Sequence, residues 1–226
     1  MALRQLKKQV LELFLKKDLA AALKAVAAMP ARQVVNPLFG LLYHVDLLIH
    51  WYAIIAMGEV VSSLAESDLE SARVIMRRLM WNLNDESGGI GWGSPEAMGE
   101  IMARQPVLAR EYSAILISYL NPAGNYLEHE GLQEGVLWAI GRVARAYPQL
   151  INHALAFITP YFTSKRAPMR GLALWAAAPL MQSAVCDQVQ SLCSDMTEIL
   201  LFQDGAMVPK TIADLARATT GCSGTK

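Results

Sequence analysis

Four segments of this chain repeat one pattern at nearly constant spacing. They are "HWYAIIAMGEV" (50–60), "GWGSPEAMGEI" (91–101), "QEGVLWAIGRV" (133–143) and "GLALWAAAPLM" (171–181). Each carries a tryptophan, an alanine two residues before a small residue, and an apolar residue two after it. The small residues are Gly58, Gly99, Gly141 and Pro179, spaced 41, 42 and 38 residues apart. A period of that length holds two helices, and one such unit cannot bury its apolar face alone. The pattern predicts an all-α fold: a right-handed α-α superhelix of about four to five stacked helix pairs. A glycine inside a helix costs roughly 1 kcal/mol in propensity. Its recurrence predicts close approach between helices of adjacent units. The tryptophans read as core residues that fill gaps between layers.

The intervening segments supply the other helix of each pair. "SDLESARVIMRRLMWNL" (67–83) opens with Ser67 and Glu70, a capping box. Leu69, Ala72, Ile75 or Met76, Leu79 and Leu83 then form one apolar stripe. "PVLAREYSAILISYL" (106–120) starts with Pro106 in a first turn and stops before "NPAGN". "PQLINHALAFITPYF" and "DQVQSLCSDMTEILLF" read as later partner helices. The predicted units are 37–66, 67–104, 106–146 and 148–182, within one domain over 1–218. A helical cap at 1–30 and a second cap at 183–218 cover the array. Asp204-Gly205, between two apolar runs, predicts a short β-hairpin near 199–209, and "TIADLARA" a last helix. Residues 219–226 read as a frayed tail.

Composition narrows the function classes. Hydrophobic residues make up 54% and charged residues 18%, enough for a large core and far from a disordered chain. Lys+Arg and Asp+Glu are 20 each, so no overall field draws the chain to nucleic acid or acidic lipid. Cys186, Cys193 and Cys222 are too few for a disulfide framework, lack CxxC spacing and read as buried small hydrophobes. Lysines at 7, 8, 16, 17 and 24 interrupt the first segment, which is therefore not read as a signal peptide. The greasiest run, 37–61, contains His44, Asp46 and His50 and reads as two buried helices, not a membrane span. A cytoplasmic location without membrane contact is expected.

The segments "LWAIGRVARAYPQLI" and "RGLALWAAAPL" resemble HEAT repeats of the phycobilisome-lyase type. The run "ARVIMRRLMWNLNDESGGIGWGSPEAMGEI", with "LEHEGLQEGVLWAIGRVA" after it, resembles a bacterial HEAT-repeat family found in sulfate-reducing bacteria. The resemblance covers roughly 1–218 and implies an α-solenoid, with no biochemical activity attached.

The stretch "NDESGGIGWGSPEAMGE" (84–100) carries the sharpest functional question. A phosphate-binding loop needs a strand before the glycines, and the preceding segment has helical periodicity. Asp85, Glu86 and Glu96 would also repel a phosphate. The stretch reads instead as a helix corner, with Ser94 as N-cap, Pro95 in the first turn and Glu96 at the positive end of the helix. Its length exceeds what a corner needs and looks like an insertion.

In the repeat register, the inter-helix loops fall side by side on one edge. The row is His44 and Asp46, then Asp85 and Glu86, then Glu128, His129 and Glu130, then Lys165 and Arg166. His44, Asp46, Asp85, Glu86 and His129 are the candidate ligands of a divalent metal. The competing expectation is an inter-repeat ion-pair ladder, with Glu128 or Glu130 meeting Lys165, Arg166 or Arg170. A di-iron site like that of deoxyhypusine hydroxylase needs repeated His-Glu dyads, and only His129-Glu130 is present. HEAT-like DNA glycosylases need a basic groove, whereas 94–104 carries Glu96 and Glu100 against Arg104. His50 and His153, in apolar segments, read as structural histidines.

The leading expectation is therefore a non-enzymatic protein-binding scaffold without cofactor. Its recognition edge comprises Asp85, Glu86, Trp92, Tyr126, His129 and Glu130. A metal- or small-ligand enzyme built on the His/carboxylate row is the alternative. Self-association through an exposed apolar face is a third reading.

Overall fold

A computed structural model describes residues 3–84, 91–181 and 186–220. The chain divides into two compact units, Met1–Leu108 and Ala109–Lys226.

The first unit begins with α1 (Leu3–Leu15), which buries Leu6, Val10 and Phe14 at helical spacing. Lys17, at φ 56°, ends it, and Asp18 starts α2 (Leu19–Ala27) by accepting the Ala21 amide at 2.9 Å. The greasy run is two helices, as expected: α3 (Ala31–Leu41) and α4 (Leu47–Ser67). Asp46 breaks the run because its carboxylate caps α4, accepting the Leu48 and Ile49 amides at 2.9 and 3.3 Å. By length and composition α4 could cross a membrane, yet 67% of its apolar window is buried in the protein. It packs against α3, α5 (Leu69–Leu83) and α6 (Ser94–Arg104).

The start of α5 differs from the capping-box expectation. Ser67 is the last residue of α4, and Asp68 is the cap. Asp68 accepts both the amide and the hydroxyl of Ser71, at 3.0 and 2.7 Å, and pairs with Arg32. Those hydrogen bonds, with Arg32 beside them, hold its carboxyl down to about 2. Glu70 points elsewhere, to Arg77 at 2.7 Å and Arg73 at 3.5 Å. The predicted stripe of α5 is otherwise buried from Ala72 to Leu83.

Gly58 does what the pattern predicts of the recurring glycine. A Cβ at Gly58 on α4 would lie 2.4 Å from Cγ of Glu100 on α6. A side chain at 58 would have to displace the buried Glu100 side chain if the two helices kept this spacing. Glu100 is 1% exposed and receives Arg104 Nε at 2.7 Å, while Arg104 Nη1 reaches Glu59 at 2.6 Å. One arginine thus ties the "AMGE" glutamates of consecutive repeats.

Helix α7 (Pro106–Ser118) leads into the second unit, which holds α8 (Glu130–Ala146) and α11 (Ala167–Ala177). They repeat the same packing. A Cβ at Gly141 would lie 2.4 Å from the Trp175 indole and 3.0 Å from Cα of Ala176. Trp138 and Trp175 stack at 5.9 Å with 17° between planes. Both are buried, as is Trp51, but Trp81 (72% exposed) and Trp92 are not core residues. Arg145 lies 3.7 Å over the Trp175 ring and donates to the Gly141 and Trp175 carbonyls. Desolvation there, with Arg142 nearby, brings its pKa down to about 10.

The segment expected as one helix over 148–162 is broken. It runs as α9 (Pro148–Ile151), a 3₁₀ turn, α10 (Leu155–Ile158) and a second 3₁₀ turn over Thr159–Thr163. Pro160, which has no amide hydrogen, sits where an α-helix would continue. The next segment departs too. After α12 (Cys186–Gln190) and a 3₁₀ turn at Ser191–Ser194 the chain becomes a strand. Strands β1 (Glu198–Gln203) and β2 (Ala206–Thr211) form the expected hairpin, antiparallel with Leu201 opposite Val208. Asp204 and Gly205, at φ 52° and 83°, make its two-residue turn. The last helix, α13 (Ile212–Thr220), extends into the predicted tail. Thr219 is buried, its hydroxyl 2.7 Å from the Leu215 carbonyl and 3.2 Å from that of Leu174. Cys193 is half-buried rather than buried; the side chains of Cys186 and Cys222 lie outside the described residues.

Candidate functional site

The helices that carry the small-residue pattern begin at Asp46, Gly93, His129 and Arg166, which are the N-caps of α4, α6, α8 and α11. The cap precedes the patterned small residue by 12 positions in α4 and 12 in α8, and by 13 for α11, whose Pro179 lies just past the helix end. In α6 it precedes Gly99 by 6. The stretch between the end of α5 and the start of α6 is therefore not an insertion, because the repeat period is unchanged. It is long because α6 starts late, by about one and a half turns. The expected cap, Ser94, is instead the first helical residue and is buried. Gly93 takes the cap position at φ 73°, a backbone angle that glycine adopts without steric cost.

Within the first unit, adjacent starts meet. A Cβ at Gly93 would lie 3.0 Å from Cε1 of His50 and 3.2 Å from Cβ of Leu42. His50 Nδ1 is 2.7 Å from the Leu42 carbonyl oxygen, so the neutral ring donates from Nδ1. Burial pulls its pKa below the ordinary histidine value, outweighing that hydrogen bond. His50 is structural, as expected; His153 sits exposed in the 3₁₀ turn after α9.

Three polar residues of the predicted row, His44, Asp46 and His129, are engaged in building helix starts. His44 Nδ1 accepts the Asp46 amide at 3.0 Å, and the Asp46 carboxylate caps α4. His129 Nδ1 accepts the Gly131 amide at 3.1 Å. Among the described residues, no three His, Cys, Asp or Glu side chains gather as a metal site. Asp85 and Glu86 lie outside the described residues. In the second unit the ladder is the arrangement found. Arg166 pairs with Glu130 at 3.0 Å and Glu134 at 2.8 Å, and Arg170 with Asp195 at 2.7 Å.

The apolar residues of these starts face solvent. Val45 is 99% exposed, Trp92 37%, and Tyr43 and Leu47 are also exposed. Tyr126 is exposed on a loop that is well tied down. Leu127 N donates to the Tyr119 carbonyl at 3.1 Å, and buried Gln133 donates to the Leu127 carbonyl at 2.6 Å. Tyr161 donates to Gln133 Oε1 at 3.2 Å. Burial, then Tyr126, raises the Tyr161 phenol well above the usual range. Sequence reasoning missed Tyr43, Val45 and Leu47, because they sit in the greasiest run of the chain. The available signal was the His44-Val45-Asp46 triplet, whose two capping side chains mark non-helical backbone with every neighbour turned outward.

No family model matches the chain. An uncharacterised protein of Archaeoglobus fulgidus is 31% identical over 121 residues, or 52% of this chain and 60% of that protein. The chain thus spans about 60% of the length of the relative it matches. Among solved structures, a designed armadillo repeat protein aligns over 97% of this chain and 99% of its own, with TM-score 0.53 and 16% identity. A second designed armadillo repeat protein, in complex with the peptide (KR)4, aligns over 96% and 98%, with TM-score 0.52 and 16% identity. An engineered protein aligns over 96% and 95%, at TM-score 0.51 and 16% identity. These likenesses show the fold: an all-α helical-repeat solenoid with a small two-stranded sheet.

Proposed function

We infer that the chain is a non-catalytic protein-binding scaffold that engages its partner along the helix-start edge of the first unit. The carrying observation is the division of labour at residues 43–47. His44 and Asp46 are consumed by capping, while Tyr43, Val45 and Leu47 stand in solvent. Trp92, one repeat on, is also part-exposed. Large apolar side chains on rigid loop positions are common anchors of protein interfaces. Support also comes from the fold neighbour that holds a peptide. Tyr126, His129 and Glu130 extend the reading to the second unit, and Asp85 and Glu86 precede Trp92 in the sequence. The phycobilisome-lyase-type resemblance, the cytoplasmic location and the absence of a cofactor rest on the sequence alone.

The test is quantitative affinity capture from the native organism with wild type and Val45→Asp/Trp92→Ala side by side. Loss of at least about 1.4 kcal/mol, a tenfold drop for the specifically retained protein, is expected. Equal retention by a folded variant removes the edge from the function.

A further inference from the structure

The first three helices carry a charge the rest of the chain does not. Residues 1–41 hold seven Lys or Arg and two acidic residues, Glu12 and Asp18, a net of +5. Residues 42–226 hold thirteen and eighteen, a net of −5. Few of these cations are neutralised locally. Arg32 pairs with Asp68, and Lys8 lies 3.7 Å from Glu12 with both exposed. Arg4, Lys7, Lys16, Lys17 and Lys24 make no ion pair among the described residues, and all are exposed.

The cations frame an apolar seam. The face of α1 opposite its buried Leu6, Val10 and Phe14 presents Arg4, Lys8, Leu11 and Leu15, at positions that fall on one stripe of a helix. Leu15 is 56% exposed, beside Lys16 and Lys17. An open groove of about 600 Å³ is lined by Arg4, Gln5, Lys7, Lys8 and Leu11.

Lys17 adds an independent observation. It has φ 56° at the end of α1, where glycine or asparagine is the usual choice. The Lys17 amide donates to the Phe14 carbonyl at 3.0 Å, and the Tyr52 hydroxyl donates to the Lys17 carbonyl at 3.3 Å, so the strained backbone is held in place. The exposed Lys17 side chain thereby adds a second cation next to Lys16 at the end of the α1 face.

We propose that this face of α1 docks an acidic, amphipathic helical segment of a partner protein. The partner's leucine-like residues lie over Leu11 and Leu15, and its carboxylates meet Lys8, Lys16 and Lys17. Charge complementarity selects the acidic partner. The leucine seam selects a helix over a polyanion, which has no use for it. A membrane surface is disfavoured because the broad apolar face of α1 is already spent on the protein's own core. The surface is on elements other than the helix-start edge, so each reading stands or falls separately.

The test uses the full chain and three probes. The first is a fluorescein-labelled glutamate/leucine peptide of about five helical turns, patterned at helical spacing. The second has the same composition in shuffled order, and the third is phosphatidylserine vesicles. Binding of the patterned peptide that weakens with added salt is expected. Lys8→Glu/Lys16→Glu, and separately Leu11→Ser/Leu15→Ser, should each weaken it about tenfold or more, with circular dichroism confirming the fold. Lys17→Gly should raise the melting temperature by about 2 to 4 °C and still weaken binding. Equal binding of the shuffled peptide, unchanged affinity in the folded variants, or retention on vesicles without peptide binding each overturns the proposal.

Discussion

Gly141 on α8 and Trp175 on α11 fit together without room for one methyl group. A Cβ on Gly141 would come within 2.4 Å of two atoms of the indole. The indole cannot retreat easily, because its other contacts are the stacked Trp138 and the Arg145 guanidinium.

Gly141→Ala therefore sets helix propensity against packing. The alanine favours the helix by roughly 1 kcal/mol, and overpacking costs about 1 to 3 kcal/mol. Net destabilisation is expected in urea unfolding. A net gain would show that α11 shifts freely and that the glycine is not a close-approach site.

Arg104 holds two carboxylates of unequal burial, and its loss should be felt unequally. Arg104→Met leaves Glu100, 1% exposed, without this guanidinium. A cost of about 2 to 4 kcal/mol is expected, reduced from the fully buried case because Arg104 itself is partly exposed. Glu59→Gln removes the exposed arm alone and should cost about 1 kcal/mol or less. Equal effects in thermal melts would mean that Glu100 does not depend on Arg104.

The sign of the pH dependence follows from His50. Its folded pKa lies below the ordinary 6.5, so the unfolded chain takes up the proton first as pH falls. The stability that a neutral His50 provides is complete above pH 6.5 and declines below it. Measured from pH 7 down to pH 5, roughly, the wild type should lose stability more steeply than His50→Gln, which carries no titrating ring. Parallel slopes would place the acid sensitivity elsewhere.

The hairpin turn offers a fourth check. Gly205→Ala puts a Cβ on a residue at φ 83° and should destabilise by roughly 1 kcal/mol or more. Asp204→Asn, at φ 52°, should be neutral or slightly stabilising. Hydrogen exchange at Leu201 and Val208, which face each other across the ladder, reads the effect locally.

What was legible in the sequence divides along physical lines. A glycine in mid-helix is costly unless something demands it, so Gly58 and Gly141 announced their packing in advance. Asp204-Gly205 was readable because few dipeptides accept two positive φ angles. Competing local signals were not resolvable. Ser67 and Asp68 are adjacent and both cap well, and only the Ser71 and Arg32 partners of Asp68 decide between them. Ser94-Pro95-Glu96 matches a helix start so well that Gly93, one residue earlier, was overlooked. Over 148–162 the apolar spacing persists through a chain that is helical only in single turns.

The candidate edge was half visible. Within the first unit the α4 and α6 starts do meet, with Gly93 against His50 and Leu42. The roles of the edge residues were not legible, because side chains that look like ligands in sequence also serve as caps. His44 and His129 accept backbone amides in this structure. Val45 looked like core for the opposite reason, since a hydrophobic run does not reveal which of its residues lie in a turn.

The β-hairpin carries a consequence for how such a chain can change in evolution. A Cβ at Gly171 on α11 would lie 2.3 Å from Cδ1 of Ile199 in β1 and 3.3 Å from Cδ1 of Leu215 in α13. The strand and the last helix thus sit on the α11 surface against which a further pattern-bearing helix would otherwise stack. Tandem duplication, the usual route by which arrays of this kind lengthen, has no free template at that face. An added unit must first evict a hairpin anchored by the Trp138 hydrogen bond to the Phe202 carbonyl.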